Sequence, residues 1–185
     1  MIILGIDEAG RGPLSGPVVA AGVILDPEKT IDGLADSKKL TEKKRQSLYE
    51  LIIAHAKAYT IVEVSPQQID ELNILQATLK AMNQVADNLK GQFDKVLVDG
   101  NKLPNWDYNS EAIVKGDSKV QEISAASILA KVHRDNICLE HDRLFPQYGF
   151  AKHKGYPTKE HLENIRKYGV LNIHRKSYKP IQLLL

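Results

Sequence analysis

The sequence predicts an α/β fold: a five-stranded mixed sheet flanked by helices, with a helical segment at the C-terminus. Three observations lead there. Two hydrophobic runs of strand length each end in a carboxylate. Three more β-branched runs have strand length, and the stretches between strands carry helix-start signals.

The first strand is expected over residues 1–7, where MIILGID reads as a core strand rather than a signal peptide. PVVAAGVIL (17–25) and AYTIVEV (58–64) are the second and third, FDKVLVD (93–99) the fourth and EAIVK (111–115) the fifth. Between the second and third, Thr41 caps a helix running to about His55, with Glu42 favourable in its first turn. Ser65-Pro66-Gln67-Gln68 joins a capping box to proline at the first helical position and opens one or two helices through about Leu89. Ser118-x-x-Gln121 reads as another capping box, opening a helix to about Leu144. Its ISAASILA stretch of small residues allows close approach to a sheet. A last helix is expected near Thr158, after Pro157. Strands that first meander and then alternate with helices favour a mixed sheet. No repeat or linker divides the chain, so one domain over 1–185 is expected.

The bulk properties exclude several function classes. At 185 residues with 43% hydrophobic and 26% charged residues, the chain can bury a core without staples. The lone Cys138 allows neither an intrachain disulfide nor a cysteine cluster, which suits a reducing cytoplasm. No run approaches the ~20 apolar residues of a membrane span. Net charge is only +2, but Lys152, Lys154, Lys159, Arg166, Lys167, Arg175, Lys176 and Lys179 crowd one end. They read as a phosphate-facing surface or as an ordinary solvated face.

Asp7 and Asp99 close their strands, Glu8 follows directly, and Asp117 stands just after the fifth strand. If the first and fourth strands are parallel neighbours, these carboxylates meet at the strand ends where open α/β sheets bind ligands. Two carboxylates ~4 Å apart repel by roughly 4 kcal/mol at an effective dielectric of 20. Such a cluster therefore needs cations or raised pKa values. Oxygen donors without neighbouring His or Cys point to Mg²⁺ or Mn²⁺, and two ions about 3.5–4 Å apart suit in-line phosphodiester displacement. Each residue also has a plainer reading: Asp7-Glu8 as a strand end, Asp99-Gly100-Asn101 as a turn, Asp117 as a helix cap. Gly10-Arg11-Gly12 permits close backbone approach to a ligand or simply a tight turn, and its spacing does not fit a dinucleotide-binding fingerprint.

GIDEAGRGPLSGPVVAAGVIL, DSKKL, VDGN, KGDSKVQEISAASILAKVHRD and YGFAKHKGYPTKEH occur in that order over nearly the whole chain. In these motifs the sequence resembles the bacterial type 2 ribonucleases H, the ribonuclease HII family. The resemblance implies a ribonuclease H-like fold, with three antiparallel strands followed by two parallel ones. It implies hydrolysis of RNA in RNA–DNA hybrids and 5′ of single ribonucleotides in duplex DNA, leaving 5′-phosphate and 3′-hydroxyl ends. It also implies a requirement for Mn²⁺ or Mg²⁺. Asp7, Glu8, Asp99 and Asp117 match the family's four acidic positions. Gly10-Arg11-Gly12 matches its 2′-hydroxyl-reading motif, and Tyr156 matches the tyrosine that packs on the deoxyribose beyond the junction. Without the resemblance, Tyr156 reads as a packing residue. Lys38 and Lys119 are candidate phosphate contacts or solvated lysines. Asn101 either contacts the nucleic-acid backbone or braces the Asp99 turn. The ending Ile181-Gln182-Leu183-Leu184-Leu185 carries no clamp-binding motif, so a monomer without a protein partner is expected, its leucines docked or frayed. The acidic cluster alone also fits a DNA nuclease or strand-transfer enzyme, or a non-catalytic nucleic-acid binder.

Overall fold

A computed structural model describes residues 1–34 and 37–185. Five strands, β1 (Ile3–Ala9), β2 (Val18–Ile24), β3 (Ala58–Val64), β4 (Lys95–Asp99) and β5 (Ser110–Ile113), form one sheet in the order β3-β2-β1-β4-β5. The β1–β2 and β2–β3 pairs are antiparallel, and β1–β4 and β4–β5 are parallel. This is the mixed sheet that the strand order and the resemblance imply.

Helices are α1 (Glu42–His55), α2 (Pro66–Leu72), α3 (Ile74–Asn88), α4 (Gln121–Leu144), α5 (Phe150–His153), α6 (Lys159–Tyr168) and α7 (Lys179–Gln182). Thr41 and Ser65 cap α1 and α2 through their hydroxyls, as expected, and Thr158 caps α6 in the same way. Asn73, at φ +73°, divides the second expected helical stretch into two helices and caps α3 with its own side chain. The capping box at Ser118 does not form. Gly116–Ser118 is a 3₁₀ turn, the Ser118 hydroxyl donates to the Lys115 carbonyl, and α4 starts after Val120 without a side-chain cap. The short α5 and α7 give no amphipathic period and were not expected.

Alternation sorts the core. Val18, Ala20 and Ile24 of β2 face the cluster containing Ala81, Met82 and Val85 of α3, while Val19, Ala21 and Val23 face Ala125, Ala126, Leu129 and Ala130 of α4. Two glycines let helices approach the sheet closely. A Cβ on Gly5 would lie 2.3 Å from the Glu122 carbonyl carbon of α4, and one on Gly22 would lie 2.4 Å from Val85 Cγ1 of α3. A third cluster around Leu14, Tyr148, Phe150, Ile165 and Ile181 belongs to the C-terminal helices. Leu184 packs on it, whereas Leu183 and Leu185 are exposed. Among the described residues, no helix is long and apolar enough to cross a membrane.

Candidate active site

The register of the parallel pair builds the acidic cluster. Ile3 pairs with Lys95 and Ile6 with Val98, so the next position sets Asp7 beside Asp99. Leu4, Ile6, Val96 and Val98 point into the α3 side of the core, so by alternation Asp7 and Asp99 face α4. Asp7, Glu8, Asp99 and Asp117 line one pocket of about 380 Å³ with Lys38, Arg45, Ser127, Ile128 and Lys131. The 3₁₀ turn supplies Asp117, whose N–H donates to Asp99 Oδ1 at 3.2 Å. Asp117 therefore caps no helix.

Asp7 and Asp117 are buried, 6% and 4% exposed, although both are acids. Burial first, then the charges of Glu8 and Asp99, holds the Asp7 carboxyl well above the usual carboxylate range. Burial likewise raises Glu8 and Asp99. Lys38 Nζ stands 3.4 Å from Asp117 Oδ2, and Arg11 Nη1 stands 3.9 Å from Glu8 Oε1. Asp36, from the run quoted with Lys38, lies outside the described residues.

The donor set fits hard divalent cations. Glu8 Oε2 and Asp117 Oδ1 are buried acceptors with no hydrogen-bond partner among the described residues, and no His or Cys lines the pocket. Among the described residues, no three His, Cys, Asp or Glu side chains stand close enough together to hold a metal ion by themselves. An open set suits Mg²⁺ or Mn²⁺, because such ions keep water ligands and take substrate phosphate oxygens rather than an all-protein cage.

Glu8 and Lys131 also line a second pocket of about 320 Å³, with Gly10, Arg11, Gly12, Arg134 and Tyr156. The two pockets thus share a wall. Tyr156 is 44% exposed, and its ring lies against Gly12, where an added Cβ would stand 3.4 Å from Cε1. Gly10 has φ +91°, and a Cβ there would come within 2.1 Å of Arg134 Nε, so the position requires glycine twice over. Asn101 and Lys119 are exposed and line neither pocket.

The groups that hold this second pocket were not among the expected site residues. The Arg134 guanidinium donates to the carbonyls of Ser15 (2.7 Å) and Lys154 (3.1 Å). Arg175, counted with the basic C-terminal surface in the sequence reading, is fully buried under the glycine loop instead. Behind Tyr156, hydrogen bonds of fixed direction run through two histidines. Leu171 N–H donates to His174 Nδ1, so His174 Nε2–H donates to His161 Nε2 (3.0 Å) and His161 Nδ1–H donates to the Tyr156 carbonyl (2.9 Å). His153 stacks on His161 with ring centroids 4.0 Å apart. Burial and mutual charge hold His161 down to about 4 and His174 to about 3, so both are neutral. Arg134 had a faint sequence signal: Ala130, Arg134 and Cys138 recur at helical spacing on the buried side of α4. Arg175 had none, because it lies between helices.

The family model for Ribonuclease HII matches residues 4–181. A Ribonuclease HII of Francisella philomiragia is 98% identical over 185 residues, covering 100% of both chains. Among solved structures, the ribonuclease H2 of Pyrococcus horikoshii superposes with a TM-score of 0.81 at 28% identity, over 100% of this chain and 97% of that one. The ribonuclease HII in a PCNA complex from Archaeoglobus fulgidus gives a TM-score of 0.82 at 27% identity, over 97% and 96%.

Proposed function

We propose, starting from the fact that this chain belongs to the ribonuclease HII family, that the paired pockets cut the RNA strand of RNA–DNA hybrids and cut 5′ of single ribonucleotides in duplex DNA. Water oxygen bonds to phosphorus, the bond from phosphorus to the 3′-oxygen breaks, and 5′-phosphate and 3′-hydroxyl ends remain. Residues 1–185 act as one catalytic domain.

Asp7, Glu8, Asp99 and Asp117 are the residues that would hold Mg²⁺ or Mn²⁺. When bound, two such ions supply the Lewis acidity that activates water and stabilises the leaving oxygen. The chain's own groups do the rest. Burial first, then like charge, raises the affinity of Asp7 and Asp99 for protons, so cations would compete with protons there. Lys38 offers a positive charge beside Asp117 for a phosphate at the pocket mouth. The Gly10-Arg11-Gly12 backbone meets the ribose, where only RNA presents a 2′-hydroxyl. Tyr156 covers Gly12 and packs on the next sugar, tolerating deoxyribose.

The observation that carries this reading is the shared wall. Glu8 lines both the acidic pocket and the glycine–tyrosine pocket, so the phosphate cut and the sugar read are neighbours. The test is incubation with duplex DNA holding one ribonucleotide, with Mn²⁺ or Mg²⁺ and then with chelator. A cut 5′ of the ribonucleotide that disappears with chelator is expected. Efficient cutting of all-DNA duplex, or no cut with either metal, overturns the reading.

A further inference from the structure

Six of the seven main-chain carbonyls from Gly10 to Gly16 are held from the C-terminal side of the molecule or from α4. The Arg175 guanidinium donates to Gly10 (2.6 Å), Arg11 (3.1 Å), Pro13 (2.8 Å) and Gly16 (3.0 Å). Arg175 N–H donates to Leu14, and Arg134 donates to Ser15. The Tyr178 hydroxyl donates to Arg11 O (2.5 Å) and accepts from Arg175 Nη1 (3.0 Å). Arg175 is 0% exposed and forms no ion pair with a carboxylate among the described residues. Burying a guanidinium on neutral carbonyls is costly, so its place needs a reason beyond packing.

The geometry of the peptide unit supplies one. In a planar trans peptide the carbonyl and the following N–H point opposite ways. Drawing the Gly10 and Arg11 carbonyls inward onto Arg175 therefore turns the N–H groups of Arg11 and Gly12 outward. Neither N–H has a partner among the described residues, nor has the Gly12 carbonyl, the one member of the seven left over. Both residues are exposed and line the pocket under Tyr156.

We propose that Arg175 is the positioning residue for ribose recognition: it presents the Arg11 and Gly12 N–H groups, and the Gly12 carbonyl, to the 2′-hydroxyl. Its positive charge also polarises these peptide units from behind, strengthening both donors. Arg175 touches no substrate. The inference rests on the function proposed above, and it places part of the substrate choice on a residue buried beneath the contact surface.

The test compares binding of two duplexes identical but for one 2′-hydroxyl, without divalent metal, by fluorescence anisotropy on the full chain. Phosphate contacts are common to both duplexes. A variant that merely unfolds a fraction of molecules weakens both equally. Arg175→Lys keeps the charge but loses the fork that spans four carbonyls. At temperatures where near-ultraviolet circular dichroism shows it folded, its preference for the ribonucleotide duplex should fall about tenfold, the worth of one charge-assisted hydrogen bond. Its affinity for the all-DNA duplex should be unchanged. Tyr178→Phe, which leaves the guanidinium in place, should lose two- to threefold of the same preference, and it serves as the folded reporter if Arg175→Lys does not fold. An unchanged preference in folded Arg175→Lys, or in Tyr178→Phe where that variant is the reporter, overturns the positioning role. A wild type with no preference overturns the proposed function instead.

Discussion

In the acidic pocket two buried carboxylate oxygens, Glu8 Oε2 and Asp117 Oδ1, have no partner among the described residues, whereas in the adjoining loop Arg175 alone satisfies four carbonyls. The pocket buries like charge and raises the Asp7 pKa; the scaffold under the loop holds its histidines neutral and leaves one buried donor, Arg134 Nε, unmatched among the described residues. Unsatisfied polarity marks where cations and phosphate would enter, and satisfied polarity marks where a surface is being held in shape. The two regions should therefore respond differently to substitution: one in rate, the other in stability and selectivity.

The largest effect is expected in the acidic pocket. Asp7→Asn should lower cleavage about a thousandfold, the equivalent of several kcal/mol of lost metal-based stabilisation. The same change removes a carboxyl whose raised pKa records repulsion and desolvation, so without metal the variant should melt a few degrees higher than wild type. Activity lost together with melting temperature would make Asp7 a structural residue. Next in size, His161→Ala opens a gap in the buried cluster, leaves His174 Nε2–H without a partner, and removes one of the two donors to the Tyr156 carbonyl, which keeps the Thr158 N–H. It should cost about 2–3 kcal/mol, a fall of roughly 5–10 °C in a melting curve. Tyr156→Ala should reverse that balance. Its half-exposed ring contributes little to the fold, and cleavage at a single ribonucleotide should drop about tenfold with melting nearly unchanged.

The scaffold also predicts a pH dependence of stability with a definite sign. His161 and His174 are neutral in the fold down to about 4 and about 3, but protonate near 6.5 when unfolded. At these two groups the unfolded state thus binds more protons below 6.5, so their contribution to stability falls as pH falls. The raised carboxyls of Asp7, Glu8 and Asp99 act in the opposite sense, so the scaffold's share is read by difference: from pH 7 to 4 the melting temperature of His174→Gln should rise relative to wild type, and a constant difference would contradict the neutral burial of His174. The smallest effect is assigned to Lys119→Ala: this exposed lysine lines neither pocket, and its removal should change cleavage less than twofold.

The two regions are unequally legible in the sequence, for physical reasons. The acids were legible because strand period and register are local rules. Once 1–7 and 93–99 were strands, parallel pairing put Asp7 beside Asp99. The glycine loop was legible as a place of close approach, but what it approaches was not. Arg134 and Arg175 bond to carbonyls 119 and 165 residues away in sequence, and no short-range pattern encodes such partners. Within the basic C-terminal stretch Arg175 misled for the same reason: composition counts a charge but does not say whether it faces water. The capping box at Ser118 failed because a 3₁₀ turn uses that hydroxyl on Lys115, which places Asp117 against Asp99 rather than at a helix start.

The division of labour between the regions is tested most directly by Asp99→Asn in the duplex-binding measurement. The variant should no longer cut at a single ribonucleotide but should still bind that duplex more tightly than the all-DNA one, by the wild-type ratio. Loss of the preference together with the cut would mean that the acidic pocket reads the ribose itself, contradicting that division.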